Sequence, residues 1–219
     1  MARPKAIIFI DANNWYHNVK KWFRPSDISI RKVAELICSN FNYDLVEIRW
    51  YASVPSIKDG EAMYYRHMSF LSHLKKDGIR VITRKLQTLS NKEILEKKKE
   101  LIDSLGLCDT CKPIVEENFL SLANIKRKEK GIDVWIAIDM IRLAVLEDKC
   151  DVCVLISGDA DFVPALELIE KNNKKVLSAF LPLGYSYELR DKFPYFFLGK
   201  NKLINCLKSY KEIKGEKVD

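Results

Sequence analysis

Val154-Leu155-Ile156-Ser157-Gly158-Asp159-Ala160-Asp161-Phe162 is an apolar run of strand length that ends in a small-residue turn carrying two carboxylates. Where such a strand stops in an open α/β fold, backbone and side chains fan out at the carboxyl edge of the sheet, the usual seat of ligands. Two acidic groups crowded there repel one another unless a cation sits between them. A second strand of the same kind opens the chain. Ala6-Ile7-Ile8-Phe9-Ile10 runs straight into Asp11, followed by Asn13 and Asn14. Two strand-end carboxylate clusters far apart in sequence point to one acidic metal pocket.

Working outward, the chain alternates strand and helix signals. Strands are expected at 6–10, 45–52 and 79–83, with helices between them. Ile30, Val33, Ala34 and Ile37 recur at helical spacing after the Pro25-Ser26-Asp27 turn. Met63, His67, Phe70, Leu71 and Leu74 do so before Gly78. This β-α-β-α-β order favours a mostly parallel sheet covered by helices. Residues 133–146 are apolar on nearly all sides, which predicts a deeply packed helix. After the strand at 154, a helix over 162–171 and a strand over 175–181 follow, with a short C-terminal extension from about 182. Residues 84–130 break the rhythm. They are charged, carry Lys97-Lys98-Lys99 and Lys126-Arg127-Lys128, enclose Cys108 and Cys111, and read as a basic insertion within a single domain spanning 1–219.

A chain of 219 residues is long enough for one well-buried core, and its composition is that of a folded protein. The net charge of +7 suits a polyanionic partner. No run reaches transmembrane length and no signal peptide is visible, so the expectation is a cytoplasmic protein with reduced thiols. P-loop, dinucleotide-binding and nucleophile-elbow patterns are missing from the sequence, which speaks against kinases, dehydrogenases and α/β-hydrolases.

Each candidate has a structural alternative. Asp11 could simply cap the next helix, and Asp161 is well placed to cap the helix starting at Phe162. Asp159, at the end of so apolar a strand, has no such explanation. Asp133 opens a helix, where dipole stabilisation competes with a ligand role. Asp139, inside the same apolar helix, needs a partner, as a structural hydrogen-bond hub or as support for the site. Cys108-x-x-Cys111 and Cys150-x-x-Cys153 have zinc-like spacing, but Cys153 alternates with Leu155 inside a strand and faces the core, which disfavours zinc. Trp15, Tyr16 and Trp22 could stack on unpaired bases or bury against the sheet. His17, His67 and His73 share no spacing that suggests a dyad.

Three motifs in one order resemble the NYN domain, the PIN-like nuclease group that includes the LabA/DUF88 proteins. They are Phe9-Ile10-Asp11-Ala12-Asn13-Asn14; Lys130-Gly131-Ile132-Asp133-Val134 with Ala137-Ile138-Asp139-Met140; and Ile156 through Pro164. The resemblance implies a PIN-like three-layer α/β/α sandwich, a site for Mg²⁺ or Mn²⁺, and RNA cleavage. Asp11, Asp133, Asp159 and Asp161 would be the acidic constellation and metal ligands, with Asn14, Ser157 and Asp139 in support. Arg84, Lys85, Lys126, Arg127, Lys128 and Lys130 would contact RNA, single-stranded or structured. Ala12 stands where glycine is common, and 84–130 has no counterpart motif. The alternatives are a catalytically inactive RNA-binding or regulatory scaffold and a DNA-directed nuclease. Homo-oligomerisation is left open.

Overall fold

The computed structural model describes residues 2–57, 60–85, 87–88, 92–121, 127–128 and 131–209. They fall into two compact units, one formed by residues 1–85 with 131–219, the other by residues 86–130.

The first unit begins with β1 (Lys5–Asp11), α1 (Ala12–Val19), α2 (Ile30–Phe41), β2 (Asp44–Val54), α3 (Glu61–Lys76) and β3 (Arg80–Lys85). The second unit contains β4 (Gln87–Thr88), α4 (Lys92–Ser104), α5 (Cys111–Ser121) and β5 (Arg127–Lys128), with β4 and β5 paired antiparallel. The chain then returns to the first unit with α6 (Ile132–Ile141), a π-helical turn over Arg142–Leu146, and β6 (Val152–Ile156). It finishes with α7 (Val163–Lys171), β7 (Lys175–Phe180), α8 (Tyr187–Lys192), β8 (Tyr195–Phe197) and α9 (Lys200–Ile204).

The six strands of the first unit lie in the order β3-β2-β1-β6-β7-β8, every pairing parallel. Strand side chains alternate between two cores. Ile8, Ile10, Val154 and Ile156 pack with Trp15, Val33, Ile37 and Leu71 from α1, α2 and α3. Ile7, Phe9, Cys153 and Leu155 pack on the other face with Ile136, Met140, Leu166 and Leu189 from α6, α7 and α8. Burial on both faces explains why β1 and β6 read as unbroken apolar runs. The result is an α/β/α sandwich.

Strand order reverses between β1 and β6: the chain first adds strands outward to β3, then crosses back and builds the other way. Ligands in open parallel sheets bind outside the carboxyl ends of the strands at such a switch point. Ile10 pairs with Ile156 across it, so Asp11 and Ser157 emerge side by side.

Three expectations change. Residues 12–19 form a helix that the polar-aromatic sequence concealed, and Tyr195–Phe197 adds an edge strand. The helix at 133–146 is not packed all round. It ends at Ile141, and Val134, Trp135, Ile138 and Leu146 are exposed, because only the side carrying Ile132, Ile136 and Met140 meets the sheet. An all-apolar sequence has no period from which to read a buried face.

Candidate active site

Asp11 ends β1 and caps α1. Its Oδ1 accepts from the backbone N–H groups of Asn13 at 3.0 Å and Asn14 at 3.1 Å. The capping role is therefore real, but it engages mainly one oxygen. The other, Oδ2, accepts from the Ser157 hydroxyl at 3.0 Å. Ser157, fully buried beyond β6, in turn accepts from the Asp159 amide at 3.3 Å. One hydroxyl thus ties the two strand ends together.

Asn14 makes a second bridge. Its Oδ1 accepts from the Gly158 amide at 3.1 Å and from Asn18 Nδ2 at 3.1 Å. Gly158 is required by space: a Cβ there would stand 2.4 Å from the Gly184 carbonyl oxygen and 2.7 Å from Tyr185 Cα. The loop after β7 is held against this turn by the Ser186 amide, which donates to the Gly158 carbonyl at 2.8 Å.

Asp159 rather than Asp161 caps the short 3-10 turn Ala160–Phe162, accepting from the Asp161 amide at 3.0 Å. The Asp161 carboxylate is exposed. Asp133 lies in the first turn of α6, partly buried. Burial first, and then the charges of Asp11, Asp159 and Asp161, push its carboxyl up to about 6. α6 packs against β1 and against the turn Ala160–Phe162, which brings its first turn toward the strand end at Asp11 and the turn carrying Asp159 and Asp161.

Among the described residues, no three His, Cys, Asp or Glu side chains are drawn together tightly enough to hold a metal ion unaided. The donors are hard carboxylate oxygens. Mg²⁺ keeps several of its waters and takes only one or two protein carboxylates. Carboxylates of this kind would suit a hydrated ion that takes one or two of them directly and meets the others through water.

Asp139 is not part of this cluster. Its Oδ2 accepts from Arg49 Nη1 at 2.9 Å and from the Tyr51 hydroxyl at 2.8 Å, and its Oδ1 from Arg142 at 2.8 Å. Burial pushes its carboxyl up, but the Arg142 and Tyr51 hydrogen bonds and the arginine charges outweigh that and hold it below the ordinary value. Its hydrogen bonds to Arg49 and Tyr51 tie α6 to β2.

Arg84 and Lys85 close β3 and are exposed. Lys126 and Lys130 lie outside the described residues, as do the side chains of Arg127 and Lys128. Trp15 is buried in the core, whereas Tyr16 is 52% exposed. Cys150 and Cys153 are buried with their sulfurs 3.9 Å apart, and Cys108 and Cys111 are exposed in the second unit. His67 is partly buried on α3, where burial lowers its pKa.

A match to the NYN domain covers residues 5–198, and the chain belongs to that family. NYN domains have a PIN-like nuclease fold, and the family consists generally of nucleases. No curated protein matches the chain. A solved structure described as a protein of unknown function, VPA0982 from Vibrio parahaemolyticus RIMD 2210633, is similar in fold. It shares 21% identity at a TM-score of 0.54, over 90% of this chain and 93% of that one. No helix among the described residues is long and apolar enough to cross a membrane.

Proposed function

We propose that the protein is a Mg²⁺- or Mn²⁺-dependent endoribonuclease hydrolysing RNA phosphodiester bonds. The observation that carries this reading is the burial of Asp133 among the charges of Asp11, Asp159 and Asp161 at the switch point of the sheet. A protein gains no stability from such repulsion, whereas a cation converts it into a binding site.

Asp11 and Asp159 would hold the principal cation, with Asp133 and Asp161 completing its surroundings directly or through water. When bound, the ion supplies Lewis acidity, acidifying water and offsetting charge on the phosphate. Ser157 donates to Asp11 and accepts from the Asp159 amide, which fixes the spacing of the two strand ends. Asn14 holds the Gly158 backbone in place. Arg84 and Lys85 supply phosphate contacts, which makes binding sensitive to salt. Residues from about 84 to 130 form an insertion within a single NYN domain spanning 1–219. The six free thiols fit the reducing cytoplasm.

The test is incubation of labelled single-stranded RNA and DNA in one mixture with Mn²⁺, Mg²⁺ or EDTA. Cleavage of RNA that needs the metal and disappears in a folded Asp159→Asn variant is the expected result. RNA retention without cleavage by either protein would instead identify a binding scaffold, and preferential loss of DNA would reassign the substrate.

A further inference from the structure

The cysteines fall into two populations. Free cysteine is among the most buried of residue types, and Cys38, Cys150, Cys153 and Cys206 follow that rule. Cys108 and Cys111 do not, since both are exposed in the second unit. A thiol in solvent adds nothing to a core, so packing gives no account of this pair.

The local fold gives one. Within the second unit α4 and α5 pack on one another, and Lys112 Nζ at the start of α5 pairs with Asp103 Oδ1 at the end of α4 at 2.6 Å. The connection between the two helices carries Cys108, whose carbonyl accepts from the amides of Cys111 and Lys112, both at 3.0 Å. The bond from Lys112 already has helical spacing, four residues apart. Cys108 therefore holds the capping position of α5, and Cys111 lies one turn on, on the same side of the helix.

The Cys111 thiol first, and then the amides of Cys111 and Thr110, hold the Cys108 thiol below its ordinary value. The physical cause is the start of a helix, where unpaired amides and the dipole favour an anionic sulfur. The chain contains a second pair of the same spacing as a contrast. Cys150 and Cys153 are 1% and 0% exposed, with their sulfurs 3.9 Å apart, so no reagent reaches them. Spacing is shared, and access separates the two pairs.

An exposed thiolate with a second thiol one turn away is equipped for thiol–disulfide exchange. We propose that Cys108 and Cys111 form a dithiol–disulfide couple that exchanges with small-molecule disulfides of the glutathione class. The Cys108 thiolate attacks one sulfur of the incoming disulfide, whose S–S bond breaks and releases one thiolate. Cys111 then gives up its proton and attacks the Cys108 sulfur, expelling the second thiolate. Two protein thiols become one disulfide, and the small disulfide leaves as two thiols that carry the two protons. The couple stands independently of the nuclease reading.

The experiment equilibrates the full chain in EDTA with varied ratios of reduced to oxidised glutathione, quenches it in acid, and maps alkylated thiols by mass spectrometry. Cys108 and Cys111 are expected to lose their thiols together, in a chain lighter by two hydrogens, while Cys150 and Cys153 remain open to alkylation after unfolding. Cys111→Ser should stop at a glutathione adduct on Cys108. Cys108→Ser keeps a capping oxygen for α5 and should leave Cys111 reacting about threefold or more slowly. An adduct that persists on Cys108 in the unaltered chain, a disulfide between two copies, or oxidation of Cys150 and Cys153 instead overturns the couple. So does zinc that copurifies with the chain and is lost only when both exposed thiols are replaced, which would make the pair a metal site.

Discussion

Asp133 and Asp139 sit six residues apart on one helix and have opposite surroundings. Asp133 faces three other carboxylates and is pushed up to about 6 by burial and their charge. Asp139 faces two arginines and a tyrosine hydroxyl, and is held below its usual range. The first arrangement costs stability, and on the proposed reading a cation offsets that cost. The second anchors α6 to β2 through Arg49, whose side chain is only 2% exposed.

The comparison can be broken by substitution. The largest effect on folding is expected at the anchor. Asp139→Ala leaves the buried Arg49 with only the partly exposed Glu47 as a carboxylate partner and should cost about 2–4 kcal/mol, read by urea unfolding. Asp133→Asn should do the reverse. In the metal-free protein it removes repulsion and leaves stability equal or higher, while RNA cleavage falls by about a hundred- to a thousandfold. If Asp133→Asn unfolds the protein, or Asp139→Ala leaves it as stable as before, the division of roles is wrong.

A smaller effect is expected at Ser157, which touches Asp11 and the Asp159 amide rather than any ion. Ser157→Ala should lower apparent metal affinity by about ten- to a hundredfold, measured by Mn²⁺ titration of cleavage. An unchanged titration would mean that the strand ends hold their spacing without the hydroxyl.

The pH dependence sharpens the contrast through its sign. A carboxyl raised in the folded state binds its proton more tightly there than in the unfolded chain. Asp133 therefore favours folding at low pH, and that contribution declines as pH rises from about 4 to about 6. Asp139 is lowered, so its contribution is present above its unfolded pKa and is lost as pH falls through the folded value. Metal-free urea unfolding should lose the first trend, between about pH 4 and about pH 6, in Asp133→Asn, and the second, below the ordinary carboxylate value, in Asp139→Asn. The smallest effect is expected at the rim: Lys85→Gln should reduce the salt slope of RNA binding by about 1.

Much of the site was legible because strand ends announce themselves. Asp11 and Asp159 each follow an apolar run buried on both faces, so their placement at the sheet edge followed from the strands themselves. The helix of residues 12–19 was missed because Asn13, Asn14, His17 and Asn18 leave it few apolar positions. The outward side of α6 was missed for the opposite reason, an excess of apolar residues with no period.

The partners of Asp139 lay beyond sequence reasoning altogether. Arg49 and Tyr51 are 90 and 88 residues away along the chain, and nothing local marks them. Arg84 and the Trp135 ring are likewise brought together across the second unit's span of sequence. Apolar runs and the acids that end them are local patterns, so the chain alone determined the parallel sheet and which carboxylates reach its edge. Which of two acids on one helix meets repulsion and which meets arginine was decided only by tertiary structure, because charge environment depends on distance in space rather than along the chain.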